Sequence, residues 1–295
     1  MISNPSSNSV ANGIVRRPTV RRKLIIRPPS FSWARLFTDL RKFASYGNLL
    51  YTLSIHRIRV RYKQSLLGVA WAIIQPLSMM LIFTVIFSLI ARLPSEGLPY
   101  ALFVYVALLP WSYFSTAVTN STNGLVSHSN LITKVYFPRE ILPLSYVAAA
   151  LFDFMIASTI LVCLLLYYRV SLTVNLGYVV PILAVLTFFT IGVSLLLSAI
   201  QIRFRDIGIA VPLVLQVWLF ATPIAYPLSA VPAQYRAAYL LNPMAGIIEN
   251  FRQVVLRGSP PVWPALAASA AFSLILLILA YAYFKRLEAT MADII

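Results

Sequence analysis

Acidic side chains are scarce in this chain, with 8 Asp and Glu against 24 Lys and Arg in 295 residues. Charged residues of both signs make up only 11%, where a soluble domain carries roughly 25%. Hydrophobic residues reach 60%, and the mean hydropathy is +0.81. That balance excludes an ordinary soluble domain and identifies an integral membrane protein. Cysteine is almost missing as well. Cys163 stands alone inside an apolar run, which excludes a disulfide framework or a thiolate metal cluster and leaves it as a small buried hydrophobe. The two histidines, His56 and His128, have no second imidazole or carboxylate cluster nearby in sequence to make a metal site. None of the ten glycines is followed by lysine, so there is no GxxxxGKS or GxxxxGKT phosphate loop, and CxxC, HExxH and GxSxG are absent too. The eight acids are scattered singly, without the carboxylate constellation that a membrane-embedded glycosyltransferase would need.

What the chain does have is long apolar sequence. A helix needs about 20 apolar residues to cross the hydrocarbon core, and six such runs occur, at about 69–91, 100–122, 144–168, 178–200, 207–228 and 262–284. Helices are expected because every backbone donor must be satisfied without water, and no alternating ten-residue pattern argues for a barrel. The expected fold is therefore all-α with six transmembrane helices. Alternating the loops across those spans puts 19 of the 24 basic residues on one side, which the positive-inside rule makes cytoplasmic, with both termini there. The formal charge of +16 thus reads as topology and attraction to anionic lipid, with nucleic acid the weaker reading.

Residues 1–30 read as a basic cytoplasmic tail without a signal-peptide core. From there Trp33, Leu36, Phe37, Leu40 and Phe43 recur at helical spacing, with Arg35, Asp39 and Lys42 opposite and Ser32 as N-cap. They predict an amphipathic helix on the membrane surface within a segment 31–64 that precedes the spans at 65–290. Between spans two and three, GLVSHSNLITKVYFPREILP is longer than a plain helix connection. Within it LITKVY predicts a short amphipathic helix stopped by Pro138, and Pro143 lets the next helix begin. After the fifth run, AQYRAAYLL and MAGIIENFRQVVL are each too short to cross the bilayer.

Four motifs in order carry a resemblance: RYKQSLLGVAWAIIQPL (61–77), LITKVYFPREILPLS (131–145), QIRFRDI (201–207) and LNPMAGIIENFR (241–252). With the six spans they resemble the type-2 ABC transporter permeases that export O-antigen, teichoic acid or capsule. The resemblance implies a homodimeric half-transporter in the bacterial inner membrane. It carries no cofactor, since ATP and magnesium sit on two copies of a separate cytoplasmic ATPase. It implies a coupling helix over about Asn123–Phe137, with Leu131, Ile132, Lys134, Val135, Tyr136 and Phe137 facing the ATPase. Arg139 and Glu140 beside it would tie it to span three or to the ATPase, or form an ion pair fixing a helix start. Arg59, Arg61, Arg203, Arg205 and Asp206 become a cytoplasmic gate, or positive-inside topology with one local ion pair. The two short pieces become re-entrant helices before span six.

A sliding sugar chain demands aromatic platforms and exchangeable hydrogen bonds. Tyr105, Trp111, Tyr113 and Phe114 of span two are the candidates for lining its path, against the alternatives of interfacial anchoring and packing. Asp153, deep in span three, faces the pore or accepts an interhelical hydrogen bond. Glu249 and Arg252 pair with each other or with sugar hydroxyls. Lipid-linked O-antigen is the first expectation for the cargo. Capsule or teichoic acid is the second, a drug or lipid the third, and a membrane glycosyltransferase or a scaffold stands outside the class.

Overall fold

The computed structural model describes residues 46–63, 65–134, 137–288 and 291, within the unit Phe31–Ile295. The expected tail and the surface helix from Trp33 to Phe43 lie outside the described residues, as do Val135 and Tyr136.

Among the described residues every regular element is helical. In chain order they are α1 (Gly47–Lys63), α2 (Trp71–Phe83), α3 (Tyr100–Ser127), α4 (Ser129–Lys134), α5 (Ile141–Tyr167), α6 (Val179–Arg203), α7 (Ile207–Phe220), α8 (Ala233–Leu240), α9 (Pro243–Arg257) and α10 (Trp263–Glu288). Helix α2 is entered through the 3-10 turn Gly68–Ala70 and continues into the π-helical stretch Thr84–Ile90, while Val174–Tyr178 forms a 3-10 turn before α6. Five stretches are long and apolar enough to cross a membrane: Gly68–Ile90, Tyr100–Ser127, Ile141–Tyr167, Val174–Arg203 and Trp263–Glu288.

The fifth predicted run differs. Its helix ends at Phe220 after 14 residues, about 21 Å at 1.5 Å per residue against the roughly 30 Å hydrocarbon core. Thr222, Pro223 and Pro227 explain the stop, since neither proline can donate the hydrogen bond that would extend the helix. The second difference concerns the loop after span two. Asn123–Ser127 continue α3, so the separate short helix is only Ser129–Lys134. The break falls at His128, whose backbone leaves the helical region (φ −118°, ψ 31°) while its Nδ1 lies 2.9 Å from the Gly124 carbonyl oxygen. Cys163, expected to be buried, faces outward from α5.

Helix α3 is the centre of the fold. Leu102 through Leu109 are buried on every side, and α2, α5, α6, α7 and α9 all pack against it. Phe114 stacks on Phe189 of α6 at 5.2 Å and meets Trp218 of α7 edge-on at 5.4 Å, locking three helices through one aromatic cluster. Helix α10 crosses α6 closely because Gly192 has no side chain; a Cβ there would stand 3.2 Å from the backbone of Leu277. Small residues at such crossings supply the van der Waals contact that holds helices together in lipid. Helix α9 is well capped. Asn242 accepts a hydrogen bond from the Met244 N–H at 3.1 Å, Pro243 opens the helix, and Gly258 takes the left-handed conformation (φ 60°) after it.

Candidate functional site

Helices α2, α3, α5 and α7, with the end of α1 at the rim, enclose a cavity of about 650 Å³. Helix α3 supplies its floor through Ser112, Ser115, Thr116, Thr119 and Asn120. Their spacing, i, i+3, i+4, i+7 and i+8, puts all five on one helical face, so a single turn-by-turn stripe of hydroxyl and amide groups runs along the cavity. Two glutamines join them, Gln75 of α2 and Gln216 of α7, each on a helix that also contains a proline, Pro76 and Pro212. Aromatic surface comes from Trp71, Trp111, Tyr113 and Tyr62. The surroundings are otherwise apolar, which is the usual make-up of a ligand cavity: a greasy shape with a few placed polar groups.

The charged feature of this cavity is a three-residue cluster. Arg61 at the end of α1 forms an ion pair with Asp153 of α5, and the Tyr62 hydroxyl donates to the other carboxylate oxygen. Burial and the neighbouring carboxylate push the Tyr62 phenol up to about 12, so it stays a hydrogen-bond donor at neutral pH. One turn earlier on α1, the Arg57 guanidinium lies 4.3 Å from the centre of the Tyr146 ring of α5, and its Nη1 is 2.7 Å from His128 Nε2. Helix α1 is therefore clamped along α5 by two cations, one at the α3–α4 turn and one at the cavity.

A second cluster joins the start of α5 to the end of α10. Glu140 is 2% exposed; one of its oxygens pairs with Lys285 Nζ at 2.7 Å, which also reaches Glu288 at 2.8 Å. The Arg139 guanidinium donates to the Glu288 carbonyl oxygen, and the Arg139 backbone N–H donates to the Glu288 carboxylate at 3.2 Å. Burial raises the Glu140 carboxyl above its ordinary value, with Lys285 opposing that shift.

A third lies on α9. Arg252 is 1% exposed, pairs with Glu249 at 3.1 Å, and donates to the carbonyls of Pro223 and Ile224 at 3.0 and 3.3 Å. Its guanidinium also sits 3.8 Å from the centre of the Phe103 ring, a desolvated cation–π contact.

A family model described as ABC-2 type transporter matches residues 48–256. The chain belongs to the ABC-2 type transporter family. Among curated proteins it is similar to an O-antigen export system permease protein, RfbA, of Myxococcus xanthus, at 30% identity over 86% of this chain and 98% of that one. Its likeness to RfbA of Klebsiella pneumoniae is 28% over 84% and 95%. The polysialic acid transport protein KpsM of Escherichia coli is 25% identical over 81% and 93%.

Set on this ABC-2 chain, the predicted residues separate. Trp111, Tyr113, Asp153 and Arg61 meet at the cavity. Tyr105 and Phe114, expected along a substrate path, are fully buried instead: Phe114 packs in the aromatic cluster, and the Tyr105 hydroxyl donates to the Ala157 carbonyl at 2.9 Å. Glu249 and Arg252 pair with each other and hold the 223–224 turn, away from the cavity. The five expected gate residues do not assemble. Arg61 turns to Asp153, while Arg59, Arg203, Arg205 and Asp206 are exposed on α1 and at the α6–α7 turn. In the coupling stretch Lys134 is exposed, Ile132 and Phe137 are buried, and Leu131 is half-buried. Arg139 and Glu140 tie this stretch to α10, a partner that neither expectation named. Sequence reasoning missed Tyr62, Gln75 and Gln216; the two glutamines were legible as polar residues inside otherwise apolar runs.

Proposed function

We propose that this ABC-2 chain is the permease subunit of an ATP-driven exporter that moves a lipid-linked polysaccharide, with O-antigen the first choice, across the bacterial inner membrane. It is a non-catalytic transport component. Likeness to O-antigen and polysialic acid transport proteins over more than four-fifths of the chain supports a polymeric sugar. The observation that carries the reading is the cavity, where aromatic faces border a continuous hydroxyl and amide stripe. Sugar C–H faces stack on aromatic rings, and exchangeable hydroxyl contacts let each residue of a chain replace the last without a deep site.

In this reading two copies of the chain complete the conduit and two copies of a cytoplasmic ATPase bind and hydrolyse ATP with magnesium. Helix α4, with Lys134 exposed, is the ATPase contact. Both termini are cytoplasmic, as the excess of Lys and Arg on that side supports. Helix α7 with the turns that follow it makes a fifth crossing, and α8 and α9 form a re-entrant pair between it and α10, of which α9 is buried among protein as irregular segments at membrane depth must be.

The test is genetic and chemical. Cells lacking the chain should accumulate the polymer on its lipid carrier at the cytoplasmic face and regain surface polymer when the chain and its ATPase are both restored. If the chain purified without an ATPase moves or elongates a glycan, the reading is wrong.

A further inference from the structure

The cluster formed by Arg139, Glu140, Lys285 and Glu288 is built from opposite helix ends. Glu140 sits at the N-terminus of α5, the positive end of the helix dipole. Lys285 belongs to the last turn of α10, and Arg139 donates to the carbonyl of Glu288, the last residue of that helix. Arg139 thus caps the end of α10 directly, while Glu140 and Lys285 stand where the helix dipoles favour their charges. Apolar packing continues the junction: Ile132 of α4, Phe137, Leu142 of α5, Phe284 of α10 and Met291 share one buried cluster with Ala199 and Ile202 of α6. The segment between α4 and α5 is thus fastened to α10 by charge and by packing at once, and α10 lies along α6 for much of its length.

We propose that this junction is a latch that transmits displacement of α4 to α10 and α6, with Glu140, Lys285, Arg139 and Glu288 as positioning residues for transport. The proposal rests on the reading of α4 as the ATPase contact. Displacing α4 through the Phe137–Glu140 segment alone would move only α5. With the latch closed, α5 and α10 move together, because separating them strands the buried Glu140 carboxylate without its cation, and an uncompensated buried charge is strongly unfavourable. The unpartnered second oxygen of Glu140 makes Lys285 its chief compensation.

The experiment uses the full complex of the chain with its ATPase, reconstituted in liposomes, and reads polymer exported per ATP hydrolysed at equal complex content. Glu140→Gln and Lys285→Met should each lower that ratio about tenfold while the ATPase still co-purifies and hydrolyses ATP. The double variant should be no worse than either single one, since both open the same link. Glu288→Gln, which keeps an acceptor for the Arg139 N–H, should give an intermediate loss and serves as the readout if Glu140→Gln does not accumulate. An unchanged export ratio, or losses that multiply in the double variant, overturns the latch. In parallel, Lys134→Cys is tested for a cross-link to the ATPase. Its absence overturns the contact reading and the latch with it, whereas a cross-link with unchanged export ratios overturns the latch alone.

Discussion

Two ion pairs in this chain hold residues expected along a substrate path, Asp153 in one and Glu249 with Arg252 in the other. Arg252–Glu249 on α9 is sealed: the arginine side chain is 2% exposed, and it holds two backbone carbonyls and an aromatic face besides its carboxylate. Arg61–Asp153 is open to the cavity, with side-chain exposures of 33% and 18%. An arginine this deeply buried, with Glu249, two carbonyls and the Phe103 ring around its guanidinium, offers no open face to a ligand, so its job is to fix the chain. A partly open pair can exchange partners. Neither outcome was visible in the sequence, and the difference comes from what the other helices bring.

The largest effect should come from breaking the sealed pair. Arg252→Ala strands Glu249 and leaves the Pro223 and Ile224 carbonyls without their donor, a loss on the order of 3–5 kcal/mol for a disrupted buried ionic group. Thermal unfolding in detergent and the amount of protein in the membrane should both fall sharply. Glu249→Gln should be milder, because the carbonyl and Phe103 contacts remain. Full accumulation of Arg252→Ala with selective loss of transport would erase the contrast and return Arg252 to the substrate path.

The open pair should behave the other way. Asp153→Asn removes the charge facing Arg61 while keeping an acceptor for Tyr62, so the protein should accumulate normally. Surface polymer should fall roughly tenfold, the equivalent of about 1.4 kcal/mol, and Arg61→Met should do the same. A smaller effect is expected at the polar stripe. Thr116→Val or Ser115→Ala alone should change export less than about twofold, because a sliding contact is shared among five side chains; removing Ser112, Ser115, Thr116 and Thr119 together should reduce export well beyond any single change. Normal export by the combined variant would mean that the stripe serves helix packing.

Much of this contrast could be read before any coordinates. Apolar runs located the long helices to within a few residues; the shared face of Ser112, Ser115, Thr116, Thr119 and Asn120 lay in their spacing but was not among the expectations. Run length alone failed at the fifth run, because hydropathy there continues past Phe220 while Pro223 and Pro227 end the helix. Burial was hidden as well. Gly68–Ile90 and Tyr100–Ser127 are both apolar, yet only Pro76 and Phe83 of the first are buried within the chain, against 19 residues of the second. Which helix becomes central is decided by contacts far apart in sequence, such as Phe114 with Phe189 and Trp218. The same limit hid the partners of Arg139 and Glu140, which lie some 145 residues further along the chain.

A last and gentler probe acts on the other clamp of α1. His128 Nδ1 faces the Gly124 carbonyl, so this nitrogen carries the proton, and Nε2 is the acceptor for the Arg57 guanidinium at 2.7 Å. Burial lowers the imidazole below its ordinary value, and the Arg57 charge adds to that. A histidine held neutral in this way binds protons more weakly folded than unfolded. Its contribution is therefore complete above the unfolded value of about 6.5, declines as pH falls below it, and levels off once pH passes the lower folded value. Protonation also puts a donor where Arg57 needs an acceptor. Hydrogen exchange in residues 47–63, corrected for its intrinsic pH dependence, should show α1 less protected near pH 5 than near pH 7.5, with the segment around Arg57 changing before the one at Arg61. His128→Gln, which keeps an acceptor without a titrating ring, should flatten the profile. Loss of protection starting instead at Arg61 would place the weaker clamp at the cavity, and the open pair would then govern how α1 is held.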